Sequence, residues 1–332
     1  MTLAFGVSGL LEKTPLSLDQ TVSLLRAAGE PTRLRLLMLL AKRDLTVSDL
    51  TEILGQSQPR ISRHLKLLSE AGLLERYQEG AWAYFRLTDQ GTGSGIINTL
   101  VRQVSLQDTQ VERDQERLGN LCQRLADRAQ EYFTKNAGDW DKIRSLHVDE
   151  DQVESAMLEM VGDAKFNAML DLGTGTGRIL ELFSHLYEKG TGIDASRDML
   201  SLARTRLDSA SLSRVQTRQG NLYILPTQSA SFNFVTIHQV LHFLDDPMGA
   251  IREAAKALAP DGRLLIVDFA PHTLEFLQHE HAHRRLGFSD SQITEWLGMA
   301  GLSLENTKHL RSAQSNQADG ERLTVSLWLA RK

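Results

Sequence analysis

With a single cysteine, Cys122, in 332 residues, the chain cannot form an internal disulfide or a site built from several thiolates. A surplus of positive charge is also missing. The net charge is −5 and the isoelectric point about 6.1, which excludes a generally basic protein that coats nucleic acid. Any contact with DNA must come from a local basic surface. In the first domain the longest apolar run is residues 36–41, far too short to span a membrane. Residues 1–13 have no basic region ahead of their apolar stretch and do not read as a signal peptide. The expectation is a cytoplasmic protein with no membrane association. Apolar residues make up 41% and charged residues 24%, as in ordinary globular proteins, and the length favours two domains with a connector. There is no internal repeat.

Three regions separate by pattern. Residues 1–92 read as an α+β unit of short helices ending in a hairpin, 93–145 as a polar helical connector, and 146–332 as an α/β unit of strands alternating with helices. In the first region Leu34, Leu36, Leu37, Met38, Leu39 and Leu40 give a buried helix after Pro31. Thr46 with Asp49 predicts a capped second helix that stops near Gly55. Ser57 is placed to cap a third, with Pro59 in its first turn, where a missing N–H costs nothing. Ile61, Leu65 and Leu68 would pack inward. Gln58, Arg60, Ser62, Arg63, His64 and Lys66 are left for the outer face, with no acid between Gln58 and Leu68. Side chains of this kind on a helix after a short turn suit base edges and phosphates of double-stranded DNA. Two strands, 73–77 and 81–87, with a turn at 78–80, predict a wing carrying Trp82, Tyr84 and Phe85.

The segments Glu30-Pro-Thr-Arg-Leu-Arg-Leu-Leu37, Val47-Ser-Asp-Leu50, Ser57-Gln-Pro-Arg-Ile-Ser-Arg-His-Leu-Lys66 and Glu70-Ala-Gly-Leu-Leu74 resemble the ArsR-type winged-helix repressors. The resemblance covers about residues 17–90 and implies a winged helix-turn-helix that binds an operator as a homodimer. Many such repressors sense metals through cysteines near the second segment. This chain has none there, so no metal-sensing role carries over.

In the connector, Ile97, Val104, Val111, Leu118, Leu125 and Tyr132 recur every seventh residue. Such a stripe suits a helix lying along a partner helix, or one packed on its own domain. Asp108 and Gln115 interrupt the second heptad position, so this is not a full coiled coil. Cys122 is expected in the apolar seam as a small hydrophobe.

In the third region Ala168-Met-Leu-Asp-Leu-Gly-Thr-Gly-Thr-Gly-Arg178 runs from a strand through a glycine-rich turn into a helix. Glycines 173, 175 and 177 allow a tight turn and close backbone approach to a ligand. A second strand, Gly190-Thr-Gly-Ile-Asp194, ends in an acid 21 residues beyond Gly173, where a carboxylate meets ribose hydroxyls. These features fit a dinucleotide as well as S-adenosylmethionine (SAM). The later order, Gly220-Asn-Leu-Tyr-Ile-Leu-Pro226, Ser231-Phe-Asn-Phe-Val-Thr-Ile-His238 and residues 250–269, resembles class I SAM-dependent methyltransferases with a doubly wound, Rossmann-like sheet. That resemblance implies that the 171–177 turn, with Asp171, Gly173, Gly175 and Gly177, holds the methionine part of SAM or S-adenosylhomocysteine (SAH). It puts Asp194 on the ribose and Asn221 and Leu222 at the adenine edge. Asn221 stands where an Asp is commoner, and its amide oxygen can still accept from the adenine amino group.

Residues 236–247 lie where that family faces the methyl group. His238 and His242 are candidate acid/base residues there, or packed structural ones. His279 and His283 have the i, i+4 spacing that can hold a metal on a helix, but a lid or substrate-side helix is the preferred reading of this cluster and no metal is expected. Residues 268–287 and Trp140-Asp141 resemble bacterial proteins that fuse an ArsR-type reader to a methyltransferase domain. The fold can then be a ligand sensor that biases a DNA-binding dimer, or a working small-molecule methyltransferase under its own reader. A third possibility is an enzyme whose helix-turn-helix serves only dimerisation, against which the intact basic helix weighs.

Overall fold

The computed structural model describes residues 16–79, 82–88, 94–136, 149–311 and 323–332. They form two compact units, 1–123 and 124–332. The first opens with α1 (Leu18–Ala28), under a Ser17–Gln20 capping box, and α2 (Pro31–Leu40), with Pro31 in its first turn. A two-residue strand that sequence pattern did not reveal, β1 (Leu45–Thr46), leads into α3 (Val47–Leu54). The expected Thr46–Asp49 capping box is present, and Gly55 closes the helix in the left-handed conformation. α4 (Gln58–Glu70) follows. Ser57 sits at its N-cap but makes no side-chain cap bond, so Pro59 and packing define that start. β2 (Leu74–Glu79) and β3 (Trp82–Leu87) pair antiparallel, and β1 adds to β3, giving the order β1-β3-β2. Tyr77 and Tyr84 stack across the hairpin at 5.6 Å between ring centroids.

The connector is not one helix. α5 (Ser94–Gln103) ends before Val104, and α6 (Thr109–Asn136) starts afresh. The Asp108 carboxylate accepts from the backbone N–H groups of Gln110 and Val111, so the polar residue that interrupts the heptad is the cap of the new helix. Ile97, Val111, Leu118 and Leu121 are buried. Arg35 on α2 clasps Asp114 on α6 through two bonds of 2.6 and 2.7 Å, and Arg117 donates to the Ile53 carbonyl at 2.9 Å. The first half of the stripe therefore packs on its own unit. The side chains of Leu125 and Tyr132 lie outside the described residues. Cys122 is half-buried and meets the Arg43 guanidinium, a polar contact in place of the expected apolar one.

The second unit is the doubly wound sheet. α7 (Glu150–Val161) precedes β4 (Phe166–Leu172), α8 (Arg178–Leu182), β5 (Tyr187–Asp194), α9 (Arg197–Ser209), β6 (Val215–Gln219), β7 (Phe232–His238), a 3-10 turn (Leu241–Phe243), α10 (Pro247–Ala257) and β8 (Leu258–Phe269). α11 (Phe276–Glu280), α12 (Asp290–Met299), β9 (Ser303–Arg311) and β10 (Thr324–Arg331) complete it. The order is β6-β5-β4-β7-β8-β10-β9; β4 to β8 run parallel, while β10 is antiparallel to both neighbours. Alternation along β8 splits the core: Leu264 and Ile266 join one apolar layer, and Leu265, Val267 and Phe269 the other. The chain leaves β4 toward β5 on one side and meets β7 on the other. The carboxyl end of β4 is thus the topological switch point, where sheets of this kind take their ligands.

Candidate functional site

On α4 the inward stripe is Ile61, Leu65 and Leu68, all buried. Gln58, Arg60, Ser62, Arg63 and Lys66 are exposed, as expected of a recognition face. Lys66 lies 3.8 Å from Glu70 in an exposed i, i+4 pair. His64 is different. Three residues after Ile61 and four before Leu68, it flanks the buried stripe, and its side chain is only 13% exposed, with Nδ1 3.6 Å from a Glu30 carboxylate oxygen. Burial lowers its pKa; Glu30 opposes this, while Arg33, Arg60 and Arg63 reinforce it. The outer-face placement expected of His64 is therefore corrected: its ring packs beside Glu30, while its neighbours on α4 stay exposed.

The glycine turn lies at the end of β4. Gly173, Gly175 and Gly177 all have positive φ, at 72°, 52° and 81°, a region that L-residues with a Cβ seldom occupy. At Gly173 space matters as well: a Cβ there would lie 2.4 Å from Cγ2 of Val240. The turn is held from the next strand. Asp194 Oδ2 accepts from the Gly175 N–H and Oδ1 from the Ser196 N–H, each at 2.8 Å. Burial pushes the Asp194 carboxyl pKa up, against the pull of the Ser196, Gly175 and Ala195 backbone N–H groups. A carboxylate has about four acceptor positions, so these bonds leave room for a ribose hydroxyl. The half-buried acid and a turn with glycine at every second position suit a nucleoside ligand. Asp171 is buried inside the sheet, and its Oδ1 accepts from Thr236 Oγ1 at 2.6 Å. Asn221 is exposed and Leu222 buried beside it; Asn221 Oδ1 accepts from the Tyr223 N–H at 2.8 Å, keeping its second lone pair.

A second group lies at the carboxyl ends of β7 and β8. His238 ends β7, and Gln239 follows with φ 52° and donates its N–H to the Val267 carbonyl. His242 Nδ1 is 2.7 Å from Asp268 Oδ1, and its backbone N–H reaches Oδ2 at 3.3 Å. Its ring packs on Phe243, Phe269 and His283. Sequence reading named His242 without its partner. Nothing in the spacing could pair it with an acid 26 residues away; parallel pairing of β7 with β8 does. The i, i+4 placement of His279 and His283 on one helix does not hold. α11 stops at Glu280, and Ala282 turns left-handed at φ 57°, so His283 leaves the helix and its ring packs, tilted, against His242 instead. The His279 side chain lies outside the described residues, and among the described residues no group of three His, Cys, Asp or Glu is placed to hold a metal.

Residues 30–76 match the family model of the bacterial regulatory proteins of the arsR family, and residues 170–266 match that of the methyltransferase domain. The chain joins an ArsR-type helix-turn-helix to a methyltransferase domain. The arsenical resistance operon repressor of Escherichia coli K12 is 44% identical over 68 residues, 20% of this chain and 58% of that protein. The uncharacterized methyltransferase YcgJ of Bacillus subtilis 168 is 31% identical over 140 residues, 40% of this chain and 54% of that one. The chain thus spans a little over half the length of each of these curated relatives. A chain from a complex of the Haloferax volcanii Trm112 methyltransferase activator with a methyltransferase superimposes with a TM-score of 0.51 at 18% identity, covering 61% of this chain and 98% of that one, a likeness of fold. The methyltransferase match contains the glycine turn, Asp194, Asn221, Leu222, His238 and His242, and stops short of Asp268. The arsR match contains the whole of α4. Among the described residues no helix is long and apolar enough to cross a membrane.

Proposed function

We propose that this protein is a transcriptional regulator whose ArsR-type unit reads a double-stranded DNA operator as a homodimer and whose methyltransferase domain binds SAM or SAH. The observation that carries the ligand half is the Asp194–Gly175 bond, which fixes a half-buried acid against a turn of three positive-φ glycines at the switch point of the sheet. In this reading residues 171–177 take the methionine part, Asp194 the ribose and Asn221 with Leu222 the adenine. When bound, SAM supplies an electrophilic methyl group. The protein contributes orientation, which can suffice for transfer to a nucleophile. The DNA half rests on the exposed Gln58, Arg60, Ser62, Arg63 and Lys66 of α4.

A second reading, a small-molecule methyltransferase whose helix-turn-helix serves autoregulation or dimerisation, is favoured by the His242–Asp268 pair, which a pure sensor does not need. Calorimetric titration of the full chain with SAM and with SAH tests the common core of both readings. Saturable one-to-one binding is expected, and heats equal to dilution for both ligands would overturn it. Sedimentation of the same preparation, expected at twice the chain mass, checks the dimer.

A further inference from the structure

Asp268, next to the end of β8, is fully buried; it accepts from the His242 backbone N–H at 3.3 Å and the Phe269 N–H at 2.8 Å, and its Oδ1 lies 2.7 Å from His242 Nδ1. Backbone donors thus already face both carboxylate oxygens, and the oxygen toward His242 is read as an acceptor. His242 therefore carries its proton on Nδ1, and the lone pair of a neutral ring lies on Nε2. Phe243 at 4.1 Å, Phe269 at 5.1 Å and His283 at 4.1 Å between ring centroids surround the imidazole with tilted aromatic rings. Val240, two residues before His242, touches the glycine turn at Gly173. The loop bearing the imidazole thus abuts the turn assigned to the methionine part of the ligand.

We propose that His242, held by Asp268, is the proton acceptor of a methyl transfer to a planar phenol. The proposal rests on the methyltransferase reading above and gives it an acceptor class. In the step, the phenol O–H bond breaks and its proton passes to His242 Nε2, while the oxygen electron pair forms the new O–CH3 bond. The bond from that methyl to the sulfonium sulfur breaks with its pair left on sulfur. The products are SAH, the aryl methyl ether and a protonated imidazole that returns its proton to water. Asp268 is a positioning residue: it fixes the tautomer and the orientation of the ring, as a carboxylate behind a general base does. At 2% exposure the ring is closed off from water. The acceptor enters by parting it from His283, which residues 274–288 carry. That segment is tied down by the Arg284 and Arg285 N–H groups on the His242 carbonyl and by the ion pair of Arg284 with Asp245.

The chemistry explains the choice of acceptor. A phenol must lose a proton to become a good nucleophile, whereas an aryl thiol is more acidic and a stronger nucleophile without a base. Methylation of 2-naphthol and of 2-naphthalenethiol by SAM is therefore compared in wild type, His242→Asn and Asp268→Asn. The expected result is a fall in kcat for 2-naphthol of about 100-fold or more in both variants, the span of general-base catalysis, with the thiol changed by less than about threefold. In His242→Ala, added imidazole should restore 2-naphthol methylation. A readout independent of turnover uses 4-nitrophenol with the SAH complex. Wild type should bind it as the coloured phenolate below its solution pKa, and His242→Asn should bind it colourless. Equal losses on phenol and thiol, or a phenolate band unaffected by the substitution, would overturn the role of His242. Wild type that binds SAH but neither methylates 2-naphthol nor ionises 4-nitrophenol would overturn the acceptor class. Absence of SAH binding to wild type would instead defeat the methyltransferase reading itself. Circular dichroism and SAH affinity of each variant separate a lost base from a lost fold.

Discussion

Arg178, the residue after the last glycine of the turn, holds Glu154 of α7 through two bonds, Nε to Oε1 at 2.7 Å and Nη2 to Oε2 at 2.6 Å. Glu154 is buried while a third of the Arg178 side chain is exposed. Arg178 also reaches Glu181 at 3.0 Å, and the Glu154 bond holds its guanidinium pKa above the usual value. Arg206 joins the same group, donating to Thr176 Oγ1 at 2.7 Å. The turn is thus clamped on both sides by arginines.

Replacing Glu154 by Gln keeps the shape and removes the charge that Arg178 faces. Breaking a fully buried pair costs about 3–5 kcal/mol, and the exposure of Arg178 reduces this to about 1–2 kcal/mol. Urea unfolding of the full chain should show that loss in the transition of the methyltransferase unit. Glu181→Gln, where the acid is more exposed, should shift it by about 0.5 kcal/mol or less. Equal shifts in the two variants would show that the bidentate geometry adds nothing.

Asp194 should be needed for SAM and SAH alike. Removal of a charged hydrogen-bond acceptor predicts a loss of about 1.5–3 kcal/mol for both ligands in Asp194→Ala. Its pH dependence has a definite sign. Burial raises the Asp194 pKa above the ordinary carboxylate value, and a ribose hydroxyl donates better to the ionised form. Affinity should therefore fall on acidification, beginning above the pH at which an exposed aspartate titrates. For folding the sign is opposite. A raised pKa means the folded state holds this proton more tightly than the unfolded chain, so its contribution to stability is present at low pH and is lost as pH rises through the raised value. Calorimetry across pH on wild type and Asp194→Asn checks the binding half; parallel curves would remove Asp194 from the site.

On the DNA side, Arg60, Arg63 and Lys66 should act mainly through phosphates and groove edges. Each phosphate contact removed should lower the slope of log affinity against log salt by about 0.9. Fluorescence anisotropy of the full chain on an inverted-repeat operator, with each residue changed to Ala in turn, gives those slopes. Lys66 is expected to change the slope without changing sequence preference, and Arg60 or Arg63 to relax it if either reaches a base edge. His64→Gln should leave the slope unchanged, because its ring faces Glu30. A changed slope would place it on the groove after all.

Local signals carried most of this architecture into the sequence. The capping box at Thr46, the apolar stripe of α4 and the strand–glycine–helix turn at 168–178 each lie within about a dozen residues, and each was legible as it stands. What was not legible depends on tertiary pairing. Asp268 meets His242 only because β7 and β8 lie parallel, and Glu154 meets Arg178 only because α7 packs under the turn. The heptad stripe left its packing open, because period alone cannot see that Asp108 caps a new helix and divides the connector into two. His64 misled for a related reason: a polar residue at the flank of an apolar stripe has two places to go, and Glu30, far away in sequence, decides between them.

Coupling between ligand and DNA is the most demanding consequence of the proposed function. SAM and SAH differ by one methyl group and the positive charge at sulfur, so a pocket can separate them electrostatically. To regulate, the ligand must bind the DNA-competent and DNA-incompetent states with unequal affinity; tight binding that is equal in both moves nothing. A coupling free energy of about 1–3 kcal/mol changes operator affinity by about 5–150-fold, and by reciprocity operator DNA changes ligand affinity by the same factor. The expected route is α6, whose first turns are held to the reader by Arg35–Asp114 and whose last residues belong to the second unit. SAH is expected to be the stronger effector, on the resemblance to the fusion proteins, in which the fold can act as a gauge of methylation status. Operator titrations at fixed salt with saturating SAM, saturating SAH or neither should give three separated curves. Arg35→Met should bring them together while leaving SAH affinity in the absence of DNA within about twofold of wild type. Three superimposed curves in the wild type would leave a methyltransferase tethered to a reader, with no sensing between them.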